Sequence, residues 1–233
     1  MNSDYDVNTL FQEYNGSSLF NHMVEFNLFP IRYLHVSWLQ DDEHVRLLKG
    51  LRASPSAEFN TSSYLLNKFG VSNAFDYDFA RLDKRAVFAS AQEITRLAFY
   101  LGLILNEGTI RSVIRRDERE ALAKCIGEDA YRFAVKKAQF MGAAKKNSPS
   151  LLIDWTRLDR FKAYLENTGQ HVIAMAFSDL PEAFRQRLMM KMPSSWQKAL
   201  SSPDAGGLSK AQCEKLLVKT HKEVNRQWRH LLS

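Results

Sequence analysis

The sequence predicts a mainly α-helical protein, an irregular multi-helix globular domain with at most a few short strands. Three observations carry this: apolar residues recur at helical spacing in nearly every segment, helix-start signals precede those stripes, and the breakers fall between them. The 10 glycines and 6 prolines among 233 residues are few for an all-β chain. At this length a chain buries roughly 70% of the surface its unfolded form exposes, so one large domain or two small ones can be stable without disulfides. A hydrophobic content of 45% with 25% charged residues excludes disorder, collagen and a disulfide-stapled mini-protein.

Taking the elements in order, residues 1–25 form an N-terminal extension and 26–233 a single helical domain, with two lobes allowed and a boundary near 142–153. Pro30 suits a first helical position, and Ile31, Leu34, Trp38 and Leu39 follow at helical spacing. A helix over about 42–52 starts with Asp41, Asp42 and Glu43, carboxylates that suit the positive end of its dipole. A short extended piece is allowed near 86–88 or 151–153. Ser90 and Glu93 have capping-box spacing, so a helix should run from there through Leu105. Its second half is apolar on all sides, which marks a buried helix, and Gly102 can let a neighbour approach closely.

Asp117 with Glu120 reads as another helix start, and Gly127 separates it from a helix over roughly 128–141. The stretch GAAKKNSPSLLI at 142–153 is the best linker. Beyond it Asp154 can cap a helix whose core stripe is Trp155, Leu158, Phe161 and Leu165, ending near Gly169. A short apolar segment with Val172, Ile173, Ala176 and Phe177 follows. Pro181 then opens a helix with Phe184, Leu188 and Met192 every four residues, stopped by Pro193; Met189, Met190 and Met192 read as core filler.

The last helix is the most legible. Ser209 and Gln212 form a capping box, and Leu208 with Cys213 is spaced as a hydrophobic staple. Cys213, Leu217, Thr220, Val224, Trp228 and Leu231 make one face, whereas Lys215, Lys219, Lys222, Arg226 and Arg229 make another. Lys215 and Leu217 differ by two residues, about 200° of helix rotation, so the basic stripe opposes the apolar one.

Charge is distributed unevenly. Residues 1–80 carry 5 Lys and Arg against 10 Asp and Glu, and the remainder 27 against 16. A bipolar chain is suited to partners of different character. The two charged surfaces it makes available for partner binding are Asp41, Asp42 and Glu43 at one end, and Lys215, Lys219, Lys222, Arg226 and Arg229 at the other. The first residues, MNSDYDVNTL, have neither signal-peptide nor transit-peptide character, and the longest apolar run, LAFYLGLIL, is nine residues where a bilayer span needs about 20. Membrane insertion is therefore not expected. Cys125 and Cys213 have no CxxC partner, which suits a reducing compartment.

Catalytic signatures are missing. The six histidines form no HExxH and no pair one turn apart, and GxGxxG, the P-loop and the serine elbow do not occur. No catalytic residue, metal or cofactor is expected. The alternative to a surface for protein partners is a basic helical nucleic-acid-binding protein, favoured by a pI of about 9.3 and the basic stripe. Against it, only Asn225 and Gln227 could read base edges beside the stripe.

Three patches in order carry a family resemblance. Phe26-Asn27-Leu28-Phe29-Pro30-Ile31-Arg32-Tyr33-Leu34-His35 resembles an early Pro-x-x-Tyr-Leu-His. Leu97-Ala98-Phe99-Tyr100-Leu101-Gly102-Leu103-Ile104-Leu105, continuing to Gly108-Thr109-Ile110-Arg111, is similar to a Leu-Gly-Leu-x-Leu and Ile-Arg core. Phe184-Arg185-Gln186-Arg187-Leu188-Met189-Met190-Lys191-Met192-Pro193 with the closing Lys-rich helix is similar to Arg-Leu-x-x-x-x-Pro and a terminal helix. Together they resemble the SctK (YscK) family of the bacterial type III secretion sorting platform. This chain departs from the pattern in its longer N-terminus and more basic second half. The resemblance implies a mainly helical, non-enzymatic virulence adaptor in the bacterial cytoplasm, at the cytoplasmic face of the injectisome. It implies as partners the cytoplasmic domain of the inner-membrane ring protein SctD and the platform protein SctQ, and indirectly the stator SctL and the ATPase SctN. Attachment to the inner membrane would be peripheral, through SctD, and no nucleic acid is implied.

Overall fold

The periodic apolar stripes do fold as helices. In a computed structural model that describes residues 17–39, 42–142 and 153–233, the chain runs through α1 (Ser18–Leu28), α2 (Pro30–Tyr33), α3 (Asp42–Arg52), α4 (Pro55–Lys68), α5 (Ala91–Leu105) and α6 (Glu107–Arg111). It continues through α7 (Arg116–Ile126), α8 (Glu128–Lys136), α9 (Leu158–Ala176), α10 (Glu182–Lys191), α11 (Gln197–Ser201) and α12 (Lys210–Val224). Short 3-10 turns lie at Val36–Trp38, Lys84–Phe88, Ala138–Phe140, Ser194–Trp196 and Arg226–Leu231, and no strand occurs among the described residues.

The contacts divide the chain into two units, one comprising the chain to Ala91 with Leu180–Gln197, the other Gln92–Asp179 with Lys198–Ser233. Residues 143–152 of the expected linker, and residues 1–16 of the expected extension, lie outside the described residues.

In the first unit, α1 opens on Ser17, whose hydroxyl accepts from the Phe20 amide at 3.1 Å, and α2 opens on Pro30 as expected. The helix of residues 30–39 is shorter than its spacing suggests. It stops at Tyr33, the chain re-enters a 3-10 turn at Val36, and the His35 amide donates instead to Met190 O at 2.9 Å. Ile31, Leu34, Leu48, Leu65, Leu66, Val71 and Met190 form a buried cluster. A second cluster is aromatic, with ring centroids 4.7 Å apart for Phe79 and Phe88 and 5.2 Å for Phe26 and Phe184. Residues 86–88, where an extended piece was allowed, lie in a 3-10 turn.

This unit holds an irregular segment, 69–83, by polar groups from its helices. The buried Asn27 amide donates to Asp76 O at 2.7 Å and accepts from the Asp76 amide at 2.9 Å, imitating a backbone pair. Lys84 bonds both Asp76 carboxylate oxygens, at 2.9 and 2.8 Å. Arg187, fully buried, donates to the carbonyls of Ala74 at 2.6 Å, Val71 at 2.9 Å, Ala183 at 3.3 Å and Asn27 at 3.4 Å. Met190 and Met192 are also fully buried, as core filler should be.

In the second unit α5 and α9 cross in contact, because Gly102 lies against Leu165 and Gly169 against Ala98. Gly169 was expected to end its helix. It sits inside α9 instead, and the apolar segment at 172–177 is that helix's continuation. The start moves as well: Asp154 accepts from the Thr156 amide and hydroxyl, at 3.0 and 2.6 Å, so its carboxylate closes a local turn and α9 begins only at Leu158. Trp155 consequently leaves the core stripe and is exposed.

Two further boundaries shift. Arg115, not Asp117, precedes α7, and Asp117 and Glu118 occupy its first turn, where Arg115 and Arg116 bond Asp117 and Glu120 at 2.7 and 2.8 Å. The helix expected over 128–141 ends at Lys136; the next turn buries Ala138 and packs on α6. Gly127, at φ 95°, makes the sharp break between α7 and α8 that only glycine accepts without strain.

Candidate partner-binding surface

The capping box at Ser209 and Gln212 is formed, and α12 buries Cys213, Leu217, Thr220 and Val224 as its spacing demands. It does not reach Leu231. Asn225 breaks it, and the remaining residues fold as the 3-10 turn Arg226–Leu231. Unit-mates on α5 hold this turn. Arg96 donates to Val224 O at 2.7 Å, taking one of the carbonyls a helix end leaves unpaired, and the Glu93 carboxylate accepts from the indole of Trp228 at 3.1 Å and from Gln227.

That docking redirects the basic stripe. Lys215 and Lys219 are exposed on α12, Lys222 is half-buried, and Arg226 and Arg229 are exposed on the turn. Lys215 has no hydrogen-bond or ion-pair partner among the described residues, whereas Lys219 donates to Phe140 O at 2.6 Å. Arg226 and Arg229 converge on Glu223, at 3.8 and 3.4 Å, and Lys137 of the opposite wall bonds the same carboxylate. The Lys137 ammonium, with Arg226 and Arg229 beside it, holds the Glu223 carboxyl below the usual carboxylate range. Arg229 also donates to Lys222 O at 2.6 Å, which folds the turn back along α12.

Part of the stripe therefore borders a cleft, which Arg226 lines, while Lys215 and Arg229 line neither it nor the recess beside it. The other walls come from α5 and α8, and the open cleft of about 580 Å³ is lined by Arg96, Arg132, Lys136, Lys137 and Arg226 with only Asp129 and Glu223 as carboxylates. A smaller adjoining recess shares Lys137 and Glu223 and adds Phe140, Met141, Lys219 and Lys222. The helix pattern of α12 could not reveal the α8 contribution. The one signal available was that Arg132 and Lys136 lie four residues apart, on one face of their own helix.

Of the acidic surface, Asp41 and the side chain of Asp42 lie outside the described residues. Glu43 is exposed in the first turn of α3 and has no partner among the described residues. Acidic triplet and basic stripe fall in different units.

His221 is fully buried on the same helix. Neither ring nitrogen has a hydrogen-bond partner among the described residues, and burial pushes its imidazole down to about 4. No group of three His, Cys, Asp or Glu able to hold a metal ion occurs among the described residues, and none of their helices is long and apolar enough to cross a membrane.

The motif patches occupy different places. The first patch and the Phe184–Pro193 part of the third meet in the first unit: Lys191 lies 5.6 Å from the Tyr33 ring centroid and the His35 amide donates to Met190 O at 2.9 Å. The second patch forms α5 and α6 of the other unit. A family model described as YOP proteins translocation protein K (YscK) matches residues 22–233. Neither the curated proteins nor the solved structures contain a match.

Proposed function

The chain belongs to the YscK family and is a type III secretion protein; on that premise we propose that it is a non-enzymatic cytosolic adaptor of the sorting platform, linking the inner-membrane ring protein SctD to the platform protein SctQ. The observation that carries the reading is the exposed electropositive surface of the second unit, where Arg226 and the α8 cations line one cleft and Lys219 and Lys222 line the recess beside it. Such a surface accelerates encounter with an acidic partner and sets its register. The acidic residues Asp41, Asp42 and Glu43 bring charge of the opposite sign, suited to a second partner. Attachment to the cytoplasmic face of the injectisome would then follow from protein contacts.

Deletion of the gene tests the function: type III export and platform assembly should be lost with no metabolic defect, and continued export would refute the adaptor role. At residue level a single Lys→Ala should do little, because exposed ion pairs contribute about 0–1 kcal/mol each. The triple variant Lys219→Glu, Lys222→Glu, Arg226→Glu replaces attraction by repulsion. It should remain helical by circular dichroism and lose co-purification with SctD or SctQ; retention of both would make the stripe a solvated face. Titration with duplex DNA across salt separates the nucleic-acid reading, for which log affinity falls linearly with log salt.

A further inference from the structure

We infer that the cleft between α8 and the C-terminal turn, together with the exposed ring of Phe140, is a docking site for an acidic peptide segment that carries a bulky apolar side chain and belongs to a partner protein. The inference rests on the adaptor reading and specifies the chemistry of one contact.

The first argument is unanswered charge. Across the cleft and its adjoining recess seven cations face two carboxylates. Both carboxylates are engaged already, Glu223 by Lys137, Arg226 and Arg229, and Asp129 by Arg132 at 3.8 Å. Lys136 and Lys222 have no side-chain partner among the described residues. The following residues, 143–152, contain Lys145 and Lys146 and no carboxylate, so the adjacent sequence brings no anion.

The second argument is Phe140. The residue is 73% exposed, while its backbone is held on both sides: the Phe140 amide donates to Lys137 O at 3.0 Å and its carbonyl accepts from Lys219 at 2.6 Å. A scattered surface phenylalanine needs no explanation. One fixed by its backbone beside Lys137, Lys219 and Lys222 has the composition of an interface anchor, an aromatic side chain within a charged rim.

Aromatic rings among cations also serve single-stranded nucleic acid. Glu223 argues for peptide. It sits among Lys137, Arg226 and Arg229 and interrupts the row of cations, and a backbone charged at every nucleotide cannot step around it. A peptide can, by spacing its carboxylates toward Lys136 and Arg132 on one side and Lys222 on the other.

The test uses the whole chain and fluorescence anisotropy at physiological salt. The probes are labelled peptides of about 15 residues, a helix long enough to cross such a cleft: one of Glu and Leu, one of Glu and Ser with equal charge, and a single-stranded oligonucleotide of equal charge. The Glu/Leu peptide should bind about tenfold more tightly than the Glu/Ser peptide, and Phe140→Ala should erase that difference. Arg132→Glu with Lys136→Glu should weaken both peptides by about tenfold while circular dichroism stays unchanged. An undiminished preference in Phe140→Ala, or tighter binding of the oligonucleotide than of the Glu/Leu peptide, would overturn the inference. Co-purification with SctD and SctQ is read in parallel. Absence of a Glu/Leu preference in the unsubstituted chain, with partners still released by the stripe variant, overturns this inference alone; a Glu/Leu preference in an unsubstituted chain that holds neither partner supports it and removes the adaptor reading.

Discussion

Gly102 lies against the backbone of Leu165: a Cβ at position 102 would stand 1.8 Å from the Leu165 carbonyl oxygen. One turn along each helix the relation repeats in reverse, since a Cβ on Gly169 would stand 1.7 Å from Ala98 O. The two helices thus cross antiparallel, each glycine one turn from the residue the other contacts. Gly102→Ala should destabilise the second unit by about 3 kcal/mol, because the obstacle is backbone and cannot swing away. Gly108→Ala, where a Cβ meets nothing within 4 Å, should be neutral or slightly stabilising. Urea unfolding of the two variants checks the contrast.

Arg187 donates to four backbone carbonyls and pairs with no carboxylate among the described residues. Burial lowers its pKa from the ordinary guanidinium value, yet the geometry is that of a cation tying the irregular 69–83 segment to α1 and α10. Arg187→Met should cost about 3 kcal/mol by orphaning those carbonyls. Arg187→Lys should not rescue, since an ammonium lacks the planar fork that reaches them together. Hydrogen exchange should show faster opening at residues 69–83 in both variants.

The buried His221 predicts an acid-sensitive fold. Its folded value of about 4 lies below the ordinary 6.5, burial being the cause and the Glu93 charge opposing it. Below pH 6.5 the unfolded chain binds a proton that the folded chain refuses. The stability present above pH 6.5 therefore falls as pH drops toward 4, by about 3 kcal/mol in total. His221→Leu breaks no hydrogen bond among the described residues, so it should fold at pH 7 and show a flatter dependence of urea midpoint on pH.

The two cysteines should differ in reactivity. Burial, with the Glu214 charge adding to it, pushes the Cys213 thiol up to about 11, and the residue is fully buried, whereas Cys125 is half-buried. Near neutral pH a thiol reagent should modify Cys125 in the folded protein and reach Cys213 only in denaturant. Equal native rates for both would contradict the packing of α12.

Sequence by itself determined the mainly α class, the capping box at Ser209, the break at Gly127 and the apolar face of α12. Each of these rests on neighbours within a few residues, which helical period and cap chemistry express directly. Tertiary structure decided the rest. Gly169 reads as a stop by composition, yet Ala98 needs the space it leaves, so α9 runs on to Ala176. The basic stripe reads as one helix face, yet Asn225 ends the helix and Glu223 gathers Lys137 with Arg226 and Arg229. Lys137 and Glu223 are 86 residues apart, and Arg96 is 128 residues from the Val224 carbonyl it meets. Periodicity within an element carries no information about contacts at such separations; only the packing of α5, α8 and α12 against one another turns a charged face into a cleft.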